Sequence, residues 1–200
     1  MRNELNNIQW CPWCWDYLIL WAIRKWLIEL WVDKKDVVIV SWIWCSGKIS
    51  QYIDAYAAET LHWRSIPFWT WVKLSNPNLK VICIWWDWDW YGIWLGHFLH
   101  ACRRDIDITY LVLDNENYAL TTGQTSPTTP IWIKTKSTKE WNPSNPFNPV
   151  KLAESAWCRF TREIDSKNVI GMREAIKEAI MHPWFSHLNI IQACPSWKVW

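Results

Sequence analysis

Residues 81–97 read VICIWWDWDWYGIWLGH, and the fold turns on how this stretch is understood. A β-branched run from Val81 to Ile84 passes straight into alternating tryptophan and aspartate, then into a second apolar segment carrying Gly92 and Gly96. Such a run suits a strand buried on both faces of a parallel sheet. The segment from about Gly92 to Arg103 predicts a helix after it. Acidic residues between a strand and a helix mark a place where a metal ion or a phosphate group can be held. Tryptophan is the wrong residue for that turn, because close backbone approach and positive φ belong to glycine.

The same alternation extends in both directions. Upstream, DVVIVSWI (Asp36 to Ile43) predicts another buried strand, and Leu18, Trp21, Ala22, Lys25 and Ile28 recur at helical spacing over residues 17–30. Downstream, DITYLVLD ending at Asp114, CRFTREI (158–164) and HLNIIQAC (187–194) predict strands, with a helix over 169–181 stopped near Pro183. Residues 115–149, rich in Thr, Ser, Pro and Asn, predict a long functional loop. Strands alternating with helices predict an α/β fold: an open, mostly parallel sheet with helices on both faces and a ligand crevice at the strands' carboxyl ends. Residues 1–200 are expected to form a single domain.

Lys and Arg total 21 and Asp and Glu 19, a net charge of +2 without a long basic run, so no nucleic-acid partner is expected. The longest apolar stretches, such as YLILWAI (17–23), fall short of the roughly 18–20 residues that span a bilayer. The first ten residues lack a signal peptide's apolar segment, and a cytoplasmic location is expected. Two counts are abnormal: 22 Trp and 5 Gly, against a usual glycine share of about 7%. The tryptophans fall in turn contexts such as CPWCW, SWIWCSGK and WWDWDW, and many of these read sensibly with glycine instead.

Three constellations lie at strand ends. Asp87 and Asp89 follow one predicted strand and Asn115 follows the next. On neighbouring strands their oxygens would suit a hard cation holding a diphosphate, although Asp and Asn also cap turns for no further reason. Of seven cysteines, Cys83, Cys102 and Cys158 fall within or at the start of regular elements and read as buried small hydrophobes. Cys11, Cys14, Cys45 and Cys194 fall at loops or strand ends, where thiolates suit an iron–sulfur cluster or a structural zinc ion; a redox role for the Cys11–Cys14 pair stays open. Lys48, in CSGKIS, can hold an anionic substrate group or be a solvated surface lysine, and His62 is ambiguous in the same way.

The blocks WCPWCWDYLIL (10–20), SWIWCSGKISQYID (41–54), TLHWRSIPFWTWVKLSNPNLKV (60–81), WWDWDWYGIWLGHFLHACRR (85–104) and VLDNENYALTTGQTSPTT (112–129) together resemble the β subunit of the 2-oxoacid:ferredoxin oxidoreductases, the 2-oxoglutarate type most of all. The resemblance spans nearly the whole chain. It implies a thiamine-diphosphate-binding fold carrying thiamine diphosphate, Mg²⁺ and a 4Fe-4S cluster. With an α subunit, such a protein oxidatively decarboxylates a 2-oxoacid, forming acyl-CoA from CoA and passing electrons to ferredoxin. The resemblance makes Cys11, Cys14, Cys45 and Cys194 the cluster ligands. It assigns Mg²⁺ to Asp87, Asn115 and the carbonyl of Asn117. Trp88, Asp89 and Thr121 fall beside the cofactor, Lys48 faces substrate and cofactor, and His62 lies nearby. It also implies further sequence beyond the six residues that follow Cys194.

The departure from the family is as specific as the match. Where the family has GGDGDG this chain has WWDWDW, and where it has CPGCG this chain has CPWCW. An indole at Trp86 or Trp88 would fill the diphosphate site. Several overpacked positions at about 1–3 kcal/mol each would exceed the roughly 5–15 kcal/mol that stabilise a domain. The chain as written is therefore expected to be inactive and to fold unreliably. Both abnormal counts follow if UGA codons that the source cell reads as glycine stand here as tryptophan, at Trp13, Trp15, Trp31, Trp42, Trp44, Trp63, Trp71, Trp85, Trp86, Trp88, Trp90 and Trp94 among others. Trp10, Trp21 and Trp197 read as ordinary tryptophans. A deliberate glycine-to-tryptophan redesign is the competing account. A non-catalytic zinc- or iron–sulfur-binding module is the alternative function, and an aromatic binding surface a third.

Overall fold

The continuous β-branched runs become the middle of a six-stranded, wholly parallel sheet. The structure, a computed structural model, describes residues 8–42, 44–60 and 65–197. In chain order the elements are α1 (Asp16–Glu29), β1 (Val37–Ser41), β2 (Tyr56–Glu59), α2 (Ser65–Ser75), β3 (Lys80–Trp86), α3 (Leu95–Arg104), β4 (Thr109–Asp114), the short antiparallel pair β5 (Asn117–Tyr118) and β6 (Gln124–Thr125), α4 (Pro149–Ser155), β7 (Phe160–Asp165), α5 (Val169–Met181) and β8 (Ser186–Ile191). The sheet order is β2-β1-β3-β4-β8-β7. β1 and β4 are buried along their whole length and β3 and β8 nearly so, whereas the edge strands β2 and β7 are largely open to solvent. Arg162 and Glu163 on β7 supply the charge that discourages an edge from pairing with another chain.

Helices α1 and α5 pack together on one face, and α2, α3 and α4 lie on the other. The Trp26 indole N–H of α1 donates to the Arg173 carbonyl of α5 at 2.7 Å, which ties the first pair. Asn148 and Asn168 cap α4 and α5 by accepting from Lys151 N and Gly171 N at 2.9 and 3.0 Å, and Pro149 takes the first helical position of α4, where its missing N–H costs nothing.

The α/β class, the parallel sheet and the two helical faces agree with the sequence reading; several boundaries move. The helix expected from Gly92 starts at Leu95, because Trp88–Ile93 forms a wide π-helical turn. The strands expected to reach Ile43 and Cys194 end at Ser41 and Ile191, which leaves Cys45 and Cys194 in the loops beyond. β2, α2 and α4 were not anticipated. From β1 the chain steps outward to β2, then returns to place β3 on the other side of β1. That reversal is the topological switch point where an open α/β sheet leaves a crevice at its carboxyl edge.

Candidate functional site

Because every strand of the sheet runs the same way, all the carboxyl ends meet at one edge. Trp86 of β3 lies opposite Leu113 of β4, and Asp114 of β4 opposite Ile191 of β8. Asp87 and Asn115, the next residues along, are therefore neighbours, and Asn115 N donates to Asp87 Oδ1 at 3.4 Å. Both are buried, as are Asp89, Asp114 and Asn117. Asn117 N donates back to Asn115 Oδ1 at 3.1 Å, and Glu116 N to Asp114 Oδ1 at 3.0 Å. Two-residue loops of this kind hold an Asn-Glu-Asn turn against the sheet edge.

Thr128 from the long loop was not singled out in the sequence, yet it closes the pocket. Its hydroxyl lies 3.0 Å from Asp87 Oδ2 and 2.8 Å from Asp114 Oδ1. One hydroxyl proton cannot serve two carboxylates, so the arrangement closes when Asp87 carries a proton and donates it to Thr128, which donates to Asp114. Burial first, and the nearby Asp114 second, push the Asp87 carboxyl well above its ordinary range. Burial also lifts Asp89 to about 7, Asp114 to about 6 and Glu116 to about 8. The donors reaching Asp87 and Asp114 are neutral: backbone N–H groups, Thr128 and the Asn189 amide. Asp89 Oδ1, Glu116 Oε2 and Asn117 Oδ1 are buried with no donor among the described residues. Buried acids without a compensating charge are costly, and this set of hard oxygen atoms suits a divalent cation.

The diphosphate of a cofactor meets a different surface. Trp88 stacks on Tyr118 with ring centroids 4.6 Å apart, and lies 4.8 Å from Trp42 and 5.0 Å from Trp44. Trp42 stacks in turn on Trp85 at 5.8 Å. Between Trp44, Cys45, Trp86, Trp88, Asn115 and Leu120 a cavity of about 10 Å³ remains, room for about one water molecule. Oxygen is the donor type that a hard cation takes; the crevice of the chain as written, with about 10 Å³ free, does not fit thiamine diphosphate.

The four cysteines expected to act together do share one neighbourhood. Cys11 and Cys194 both act electrostatically on Cys45, Cys45 on Cys14, and Cys11 on Cys194. Ser196 Oγ lies 3.1 Å from Cys11 Sγ, and the Trp10 indole N–H donates to the Cys45 carbonyl at 2.7 Å. Burial pushes the Cys45 thiol up to about 11, and burial with buried Asp16 pushes Cys14 higher still. All seven cysteines are free thiols. Among the described residues no three His, Cys, Asp or Glu side chains converge closely enough to hold a metal ion.

The remaining expected residues are less central. Lys48 Nζ donates to the Gln9 carbonyl at 3.0 Å and lines a wide groove of about 1190 Å³ beside α1, with Tyr17, Arg24 and Tyr52. Thr121 is exposed and its hydroxyl reaches Gln124 Oε1 at 2.6 Å. His62 lies outside the described residues. Asp16, buried under the cysteines and held by Gln192 Nε2 at 3.1 Å, was missed; its place in the first turn after Cys14 was the available signal.

Comparison with known proteins bears on the family and the fold. Residues 39–190 match the family described as thiamine pyrophosphate enzyme, C-terminal TPP binding domain. The 2-oxoacid:ferredoxin oxidoreductase subunit beta of Saccharolobus solfataricus is 41% identical over 99% of this chain and 65% of its own length. The 2-oxoglutarate synthase subunit KorB of Archaeoglobus fulgidus is 35% identical over 98% of this chain and 73% of its own. A solved 2-oxoglutarate:ferredoxin oxidoreductase from Magnetococcus marinus, with 2-oxoglutarate, coenzyme A and succinyl-CoA bound, superposes with a TM-score of 0.92 at 30% identity, over 96% of this chain and 66% of that one. The chain thus spans about two thirds of the length of these relatives.

Proposed function

This chain belongs to the β-subunit family of the 2-oxoacid:ferredoxin oxidoreductases, and from that premise we propose that it supplies the thiamine-diphosphate half of such an enzyme. With an α subunit it takes a 2-oxoacid and CoA to acyl-CoA and CO₂, releasing one proton and two electrons, the electrons leaving one at a time to ferredoxin. The substrate is 2-oxoglutarate, as in the names of the KorB relatives and the solved oxidoreductase. Seven free thiols support a cytoplasmic setting.

The observation that carries this reading is the buried oxygen pocket where β3 and β4 end side by side, with Asp87 against Asn115. In it Asp87, Asn115 and the Asn117 carbonyl would hold Mg²⁺, whose charge would offset that of the buried carboxylates. Thr128 and Asn189 orient the carboxylates, and Asp89 and Thr121 flank the cofactor. Cys11, Cys14, Cys45 and Cys194, which lie near one another without converging on a point, would close around a 4Fe-4S cluster, and the family resemblance assigns Lys48 and His62 to the substrate side. When bound, thiamine diphosphate supplies the carbanion chemistry that no amino-acid side chain provides. In the chain as written the indoles around Trp88 keep that cofactor out, and the polypeptide is inactive.

The protein purified from its source with its partner tests this. Brown colour, bound thiamine diphosphate and CoA-dependent reduction of ferredoxin by 2-oxoglutarate are expected. A colourless preparation with stoichiometric zinc and no thiamine diphosphate would overturn the reading in favour of a metal-binding module built on the same four cysteines.

A further inference from the structure

Backbone and side chains disagree about residue identity at a defined set of positions. Among the described residues seven non-glycine residues have positive φ, and four of them are tryptophan: Trp13 at 66°, Trp31 at 52°, Trp44 at 93° and Trp157 at 61°. A β-carbon in this region crowds the carbonyl that follows, and only glycine escapes the crowding. Trp31 and Trp157 stand just past the ends of α1 and α4, and their hydrogen bonds are those of a glycine stop. Trp31 N donates to Ile28 O while Val32 N donates to Leu27 O; Trp157 N donates to Glu154 O while Cys158 N donates to Ala153 O. This paired six-to-one and five-to-two pattern places glycine at its left-handed residue. Neither indole is compensated by packing, since both are more than three-quarters exposed.

The turn around Asp87 carries the second signal. Trp85 and Trp90 are fully buried, yet their indole N–H groups have no acceptor among the described residues. A buried indole normally finds one. Trp86 and Trp88 fill the space beside Asn115. Trp10 behaves in the opposite way: its N–H is satisfied by Cys45 O, and its ring packs edge-on against both Tyr17 and Tyr52 at 5.1 Å. The helical tryptophans Trp21 and Trp26 sit within α1, where the backbone carries no such signal.

We infer that Trp13, Trp31, Trp44 and Trp157, with Trp85, Trp86, Trp88 and Trp90, are glycine in the working protein, encoded by UGA codons that the source cell reads as glycine, while Trp10 is tryptophan. At the helix ends and at Trp13 and Trp44 the inference stands on backbone geometry alone; at Trp86 and Trp88 it rests on the proposed cofactor site.

Peptide mass spectrometry of the protein isolated from its source decides residue identity without reference to folding or activity. Glycine at all eight positions, tryptophan at Trp10 and UGA at the eight codons are expected. Tryptophan encoded by UGG at Trp31 and Trp157 overturns the inference, as does glycine at Trp10. A recombinant chain carrying all eight changes separates the two readings. Its thermal midpoint should exceed that of the chain as written by at least about 5 °C, and it should bind thiamine diphosphate with Mg²⁺. Higher stability without cofactor binding leaves the glycine assignment intact and overturns the proposed function; lower stability overturns the assignment.

Discussion

At Trp157 the chain turns left-handed with the ring in solvent, 76% exposed, so the side chain contributes almost nothing while its β-carbon strains the backbone. Trp157→Gly should therefore stabilise the protein by about 0.5–1 kcal/mol, the relief of strain less the extra freedom of glycine in the unfolded chain; chemical denaturation measures it. His187 is a second residue whose surroundings dictate its state. Tyr91 gives its hydroxyl proton to Asn189 Oδ1, so His187 Nε2 must donate to Tyr91, and Nδ1 accepts from Thr161 at 2.8 Å. Burial lowers its pKa to about 3. The folded ring stays neutral while the unfolded ring takes up a proton below its ordinary pKa of 6.5. Stability from this site is thus complete above pH 6.5 and falls as pH drops toward 3, by about 2 kcal/mol at pH 5. Denaturant midpoints at pH 7 and pH 5 should fall less for His187→Gln than for the parent, and the difference between the two isolates this histidine from the buried acids, which titrate with the opposite sign.

At the scale of elements, caps and burial pattern decide what the sequence reveals. The helix over 169–181 was legible because its apolar residues recur at helical spacing and Pro183 stops it; the cap at Asn168 is seen only in the structure. Asn168→Ala should cost about 1 kcal/mol of stability. Gly171→Ala should cost a similar amount, because a β-carbon there would come within 2.9 Å of Asn168 Cγ and displace the cap; thermal melts of both variants check the pair. β2 escaped notice because an exposed edge strand, YAAE, has neither alternation nor a β-branched run. α2 was obscured because Trp71, in TWVK, read as a turn residue. In α4, Pro149 read as part of the proline-rich loop although proline at a first helical position is a start signal.

For the whole molecule, the parallel sheet gathers Asp87, Asn115 and the loops bearing Cys45 and Cys194 at one edge. The same edge is closed to a cofactor by the indoles that share it. The chain as written, titrated with thiamine diphosphate and Mg²⁺, should show no heat of binding and no rise in thermal midpoint, because about 10 Å³ cannot admit a diphosphate. A measurable affinity would mean that the crevice opens without any change of residue.

The sequence by itself determined the α/β class, the buried strands and the four cysteines and carboxylates worth watching, because continuous β-branched runs, helical periodicity and residue chemistry are local properties. Only the tertiary structure decided that Thr128 bridges Asp87 and Asp114, that Asp16 lies beneath the cysteines, and which tryptophans occupy glycine's conformation. Those depend on register between strands, on a loop folding back over the sheet edge, and on the sign of φ, none of which any single stretch of residues carries alone.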